Sequence, residues 1–253
     1  MKRNVIRLLE GEEMRLLVDT HTHTVSSGHA YNTLDELVRE ASKKQLEAIA
    51  ITDHTPAMPG GAHAFHFANL RIIPEEMYGV RILKGAETNI MDYSGTIDLD
   101  EETLKGLDMA IASLHPPCIP FGSKEEVTSC LEKVMENKYI NIIGHPGDAR
   151  YPIDMERLVK KAKETKTLLE VNIASLKPTS YRPGVRENLI EMLGYCKAYE
   201  TPIVLGTDAH FHLDLGKFDE GTSLLEEIGF PEELVLNTNT EMLISYISQK
   251  RLK

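Results

Sequence analysis

The residues with chemistry to offer are histidines and carboxylates, and their spacing is regular. Asp19-Thr20-His21-Thr22-His23 follows the apolar run 14–18 with two imidazoles one residue apart. On an extended backbone residues i and i+2 point to the same side, so His21 and His23 can grip one ion together. The same grammar recurs downstream. The run 47–52 ends in Asp53-His54, 80–86 ends in Glu87, and 107–113 is followed by His115. Further on, 139–144 ends in His145 and 202–207 in Asp208-Ala209-His210. Only 167–173 breaks the pattern, closing on the amide Asn172.

His21, His23, His29, His54, His115, His145 and His210, with Glu87 and Asp208, make a ligand set too large for one tetrahedral zinc. The set suggests two or three ions. Mixed imidazole and carboxylate suits Zn, Mn, Fe or Co, whereas Mg or Ca calls for nearly all oxygen. Glu87 has two oxygens and can bridge two metals roughly 3.5–4 Å apart, a position that also holds hydroxide. Taken singly, each residue has a plainer explanation. His115 before Pro116-Pro117 reads as a loop residue, and His-x-His can be imitated on an edge strand. Six strand ends carrying the same residue types are much harder to produce by accident. His63, His66 and His212 fall outside the pattern and read as loop residues, with His66 a candidate for the substrate entrance. Asp19 and Asp53 either accept hydrogen bonds from neighbouring imidazoles or cap strand ends.

These side chains need elements to position them. Thr33-Leu34-Asp35-Glu36 has capping-box spacing and opens a helix through about Lys44. Residues 55–71 read as a long functional loop, and Tyr93-Ser94-Gly95 as a hairpin tip. Further helices are expected over 123–137, 154–165, 185–199 and 240–250, with shorter ones between 217 and 236. Seven strands alternating with helices imply parallel pairing with right-handed crossovers. Ligands at six strand ends converge more naturally in a closed ring than at the single switch point of an open doubly wound sheet. The expected fold is α/β, a distorted seven-stranded (β/α)7 TIM-like barrel with its metal site at the C-terminal mouth. No linker, repeat or low-complexity tract divides residues 1–253, so one domain is expected, with 1–13 as a candidate N-terminal extension.

Composition narrows the partners. Lys plus Arg number 28 against 39 Asp plus Glu, a net charge of -11. That disfavours nucleic acid and anionic membrane as partners. The 3 cysteines form no CxxC pair, which reads as free thiols in a reducing cytosol. Residues 1–18 contain no signal-peptide core, and no apolar run approaches a membrane span. Assembly into a homo-oligomer stays open.

The motifs Asp19-Thr-His21-Thr-His23-Thr24, Ile51-Thr-Asp53-His54, Gly85-Ala-Glu87, Gly144-His145-Pro146 and Gly206-Thr-Asp208-Ala-His210 resemble the signature of the polymerase and histidinol phosphatase (PHP) family. The resemblance runs from about Met14 to the final helix. Residues 59–71 and His145-Pro146-Gly147 look most like the YcdX-type phosphatase branch. It implies a seven-stranded barrel and a trinuclear site: His21, His23, Glu87 and Asp208 on one ion, Glu87, His115 and His145 on a second, His29, His54 and His210 on a third. Zn is the default metal, with Mn or Fe feasible.

The expected reaction is phosphate monoester hydrolysis on a small phosphorylated metabolite. A metal-bridging hydroxide attacks phosphorus in line while the remaining ion neutralises developing charge. Arg182, after the strand that lacks a ligand, is the candidate for gripping phosphate, and Lys177 is a weaker one. Three rivals use the same residues. A 3′-5′ exonuclease or phosphodiesterase calls for a basic track and stacking aromatics, and the chain has no tryptophan. An amidohydrolase-like C–N hydrolase shares His-x-His and a late Asp, but leaves His29, His54 and Glu87 less well explained. A noncatalytic metal-dependent regulator would keep every ligand and show no turnover.

Overall fold

The apolar runs pair side by side. In a computed structural model that describes residues 14–252, the strands are β1 Val18–Thr22, β2 Ala48–Ile51, β3 Glu76–Met77, β4 Val80–Asn89, β5 Met109–Ser113, β6 Ile142–Ile143, β7 Leu168–Asn172 and β8 Ile203–Gly206. All neighbours in the order β1-β2-β4-β5-β6-β7-β8 are parallel, and β3 adds an antiparallel flap to β4. The helices are α1 Leu34–Lys43, α2 Ala64–Asn69, α3 Glu101–Lys105, α4 Lys124–Glu136, α5 Met155–Thr165, α6 Ile173–Leu176, α7 Val185–Tyr199, α8 Asp219–Glu227 and α9 Thr240–Arg251. Thr33 and Ser123 each open their helix with a complete capping box. The candidate extension 1–13 lies outside the described residues.

The ring closes between β1 and β8, so the fold is a barrel and not an open sheet. At the mouth His23 N–H donates to Ala209 O (3.0 Å) and Asp208 N–H to His21 O (2.9 Å). Lower down, Asn237 stands in for a strand. Its amide donates to Val18 O and Leu205 O, each at 2.8 Å, and its oxygen accepts from Leu205 N–H at 2.8 Å.

Period-two alternation sorts the strand residues into two cores. One face packs Ile49, Ile82, Ala110, Leu169 and Leu205 with the surrounding helices. The other fills the barrel with Val18, Ala48, Ala50, Leu83, Met109, Ile111, Ile142, Leu168 and Val204, against Leu243 and Ile247 of α9. The C-terminal helix thus plugs the end of the barrel away from the mouth. Followed toward the mouth, the inward rows change character in step. Leu83 gives way to Gly85 and then Glu87, Ile111 to Ser113 and His115, Val204 to Gly206 and Asp208. Apolar side chains fill the base, small residues make a middle layer, and donor atoms crowd the rim.

The structure differs from expectation in three places. Glu87 lies inside β4, which continues to Asn89, and β1 begins at Val18 and contains His21. The expected loop 55–71 holds α2, whose N-cap is His63: the Nδ1 of its imidazole accepts from Phe65 N–H at 3.2 Å. Histidine is outside the usual set of capping residues, so no start signal was visible. The run 139–144 forms only a two-residue strand.

Candidate metal centre

Every expected ligand arrives at the mouth of the barrel, with Glu87 central. His54 Nδ1 lies 2.7 Å from Glu87 Oε2, and His145 Nε2 3.0 Å and His115 Nε2 3.3 Å from Oε1. On the other side His21 Nε2 stands 3.4 Å from Glu87 Oε2 and 3.6 Å from Asp208 Oδ1. His23 Nε2 lies 3.1 Å from Asp208 Oδ1. Nearer solvent, His210 Nε2 and His29 Nε2 approach to 3.0 Å, and the His29 ring stacks on His54 with centroids 5.0 Å apart. The His54 imidazole therefore stands between the Glu87 carboxylate and the outer histidine pair.

The donor atoms fit a cation. His21 Nε2, His23 Nε2, His54 Nδ1, His115 Nε2 and Glu87 Oε2 are buried and have no hydrogen-bond partner, each a cost of about 1–3 kcal/mol unless something else satisfies it. Among the described residues the groupings His21–His23–Asp208, His54–Glu87–His115 and His23–His54–His210 each bring three donors within metal-binding reach. Burial drops the imidazole pKa of His23 to about 3 and of His115 to about 4, so both offer lone pairs at neutral pH. Burial works against ionised Glu87 and Asp208, but surrounding imidazoles outweigh it and hold both carboxyls well below their ordinary values. Positive charge is what this arrangement calls for.

Groups behind the donors set their orientation. His115 Nδ1 pairs with Asn89 Oδ1 at 2.7 Å, and His210 Nδ1 with the carbonyl of Asp208 at 2.9 Å. Asp53 acts one step removed: Ser27 Oγ donates to Asp53 Oδ1 at 2.6 Å and meets His23 Nδ1 at 3.0 Å. Asp19 turns the other way, accepting from Thr207 N–H and Gly216 N–H at 3.0 Å each. It joins β1 to the loop after β8 and touches no imidazole ring. His66 Nε2 lies 3.2 Å from Asp53 Oδ2, and His212 N–H donates to Asn32 at 2.7 Å.

Sequence reasoning missed Glu170, which is fully buried. Its Oε1 lies 2.7 Å from His21 Nδ1, and its Oε2 accepts from His145 N–H at 2.7 Å. One signal was present: an acidic residue in the apolar run 168–171, in register with Asn172 two positions on.

Above the donors opens a cleft of about 680 Å³, lined by His29, His54, His115, Tyr181, Arg182 and Lys177 among others. Arg182 is buried within it and donates to Ser175 Oγ at 2.9 Å. Burial disfavours its charge, but Asp208, Tyr181, Glu87 and Glu170 together outweigh it and raise its pKa. Lys177 is paired across the cleft with Asp214 at 2.8 Å, which leaves Arg182 the better placed cation.

A parallel barrel with buried imidazoles and carboxylates at its mouth is a metallohydrolase architecture. Residues 19–181 match the PHP domain model, and the chain belongs to that family. Its curated relatives include a "probable phosphatase" of Acetivibrio thermocellus, 47% identical over 94% of this chain and 98% of that one. Another, from Caldanaerobacter subterraneus subsp. tengcongensis, is 48% identical over 94% of each. Among solved structures, histidinol phosphate phosphatase from Lactococcus lactis, in complex with Zn, L-histidinol and phosphate, superposes with a TM-score of 0.60 at 20% identity. It covers 85% of this chain and 94% of its own. A chain of an archaeal ribonuclease P bound to mature tRNA gives 0.61 at 12% identity, over 93% and 91%. At these identities the likeness is one of fold.

Proposed function

We propose that this protein is a phosphate monoester hydrolase that uses three divalent ions at the barrel mouth. At the coarser level it is a metal-dependent phosphatase: relatives matched along nearly their whole length are named probable phosphatases, and the donor set is that of a metal site. The observation that carries the finer reading is the convergence of unpartnered imidazole nitrogens on Glu87, beside a buried arginine at the foot of an open cleft.

In this reading His21, His23, Asp208 and Glu87 hold one ion, Glu87, His115 and His145 a second, and His29, His54 and His210 a third. Zn is the favoured metal, with Mn or Fe as substitutes. Bound there, divalent ions supply an activated water and positive charge around phosphorus. The chain's own part is positioning. Glu87 and Asp208, held ionised, fix the charge that retains the cations. Arg182 donates N–H bonds to the non-bridging phosphate oxygens. The leaving group extends into the cleft between Tyr181 and His29, whose volume suits a small phosphorylated metabolite. The net charge of -11 argues against a nucleic-acid substrate. Three cysteines without disulfides support a reducing cytosol, and among the described residues no helix is long and apolar enough to cross a membrane.

The test is hydrolysis of p-nitrophenyl phosphate beside bis-p-nitrophenyl phosphate, with metal content measured on the same sample and His21→Ala as control. Monoester turnover that rises with occupancy toward about three ions per chain, and vanishes in the variant, is the expected result. Preferential diester turnover would replace this reading with a phosphodiesterase. Inactivity toward both at full occupancy would sink the general phosphatase.

A further inference from the structure

Strand β7 is the one described strand of the barrel whose mouth end offers no candidate ligand, yet it carries a fully buried carboxylate outside the ligand set. Glu170 is fully buried and occupies the middle layer, where the adjacent strand β8 carries Gly206. That glycine makes its room. A Cβ at Gly206 would stand 2.2 Å from Glu170 Oε1 and 2.6 Å from His21 Cβ, so any larger residue there would displace the carboxylate.

Each oxygen of Glu170 serves a different histidine. Oε1 accepts from His21 Nδ1 at 2.7 Å, so in the neutral ring a cation calls for, Nδ1 carries the proton and Nε2 presents its lone pair toward Glu87 and Asp208. Oε2 takes the backbone N–H of His145 at 2.7 Å. His145 has φ of 32°, a left-handed backbone that a non-glycine residue adopts only when its surroundings enforce it. That conformation aims His145 Nε2 at Glu87 Oε1, 3.0 Å away. Asn172, two residues on and facing the same way, links Glu170 Oε2 (3.1 Å) to Asp208 Oδ2 (3.3 Å).

We propose that Glu170 is a positioning residue for the metal centre, a single carboxylate that orients donors from β1 and from the end of β6 on opposite sides of Glu87. This rests on the metal-site part of the function proposed above, but not on the reaction. The carboxylate form is required. A glutamine keeps the volume but offers one acceptor oxygen where two donors converge, so either His21 Nδ1–H or His145 N–H faces an NH2 group.

The experiment compares wild type with Glu170→Gln for zinc affinity by chelator competition, with folding followed by circular dichroism. The variant is expected to remain folded and to bind zinc about 10- to 100-fold more weakly at more than one site, with turnover recovered in excess metal. Zinc affinity within twofold of wild type in a folded variant would overturn the proposal. Should Glu170→Gln fail to fold, 15N-histidine NMR of the wild-type protein decides. A proton on His21 Nδ1, shifted downfield by a strong hydrogen bond, is expected, and its absence would overturn the assignment. Zinc binding that weakens in the variant while neither protein hydrolyses p-nitrophenyl phosphate would leave Glu170 in its role and remove the phosphatase reading alone.

Discussion

Arg182 Nη1 lies 3.5 Å from Asp208 Oδ2, and both side chains are almost wholly buried at the edge of the donor cluster. Its bonds to Ser175 and Asn172 run through the same nitrogen, so the fork retains N–H groups for a bidentate grip on phosphate. Arg182→Ala is expected to lower kcat/KM for p-nitrophenyl phosphate by about 100-fold, equivalent to roughly 2–3 kcal/mol of charged hydrogen bonding. Metal content should stay at the wild-type level. Arg182→Lys recovers only part, because an ammonium is a point charge without the fork. Activity within threefold of wild type in the alanine variant would take Arg182 out of phosphate binding.

Ser27 connects Asp53 to His23 through contacts of 2.6 and 3.0 Å. Removing the hydroxyl strands His23 Nδ1, frees that ring to rotate and takes an acceptor from the His54 backbone N–H, while every proposed ligand side chain is kept. Ser27→Ala should weaken metal binding by about 10-fold, read as a shift in chelator competition. An unchanged competition curve would show that packing alone orients His23.

Much of this centre was legible because metal-type residues recur where apolar runs end, and a parallel barrel brings those ends to one rim. The same logic hid Glu170 and Asn237. Glu170 lies within its strand, and its importance depends on Gly206 of β8 and His21 of β1, which come together with it only when the ring closes. Asn237 sits in a short 3-10 turn, Leu236–Thr238, with no local pattern to mark it, because its partners Val18 and Leu205 are distant in sequence. Asp19 and Asp53 each precede a histidine or lie two before one, yet only Asp53 reaches imidazoles, His66 directly and His23 through Ser27. Spacing shows which side chains share a face; it does not show which third residue stands between them.

The Asn237 seam carries a stability prediction. Its side chain makes three bonds of 2.8 Å with the main chain of β1 and β8 in a region without solvent access. Asn237→Ala leaves buried peptide groups short of partners, at about 1–3 kcal/mol apiece. The expected loss is about 3 kcal/mol or more, which lowers Tm by ~6–12 °C for a chain of this size. Urea denaturation and calorimetry check both figures. A loss under about 1 kcal/mol would mean that the strands close directly on each other once the amide is gone.

The thiols give a pH prediction that also bears on mechanism. Burial penalises the thiolate and pushes Cys118 and Cys130 up to about 11 and Cys196 up to about 12. Because the folded values lie above the ordinary thiol pKa, the reactive anion is suppressed at pH 8, to a fraction on the order of 10⁻³ for a pKa near 11, and returns only as pH climbs toward 11. Ellman's reagent at pH 8 should therefore react at least about 100-fold more slowly with native protein than with protein in guanidinium chloride. Turnover should survive N-ethylmaleimide at pH 7, since no thiol belongs to the donor cluster. Rapid labelling of one cysteine with parallel loss of phosphatase activity would contradict both the burial and a reaction that relies on metal ligands and Arg182 instead of a cysteine nucleophile.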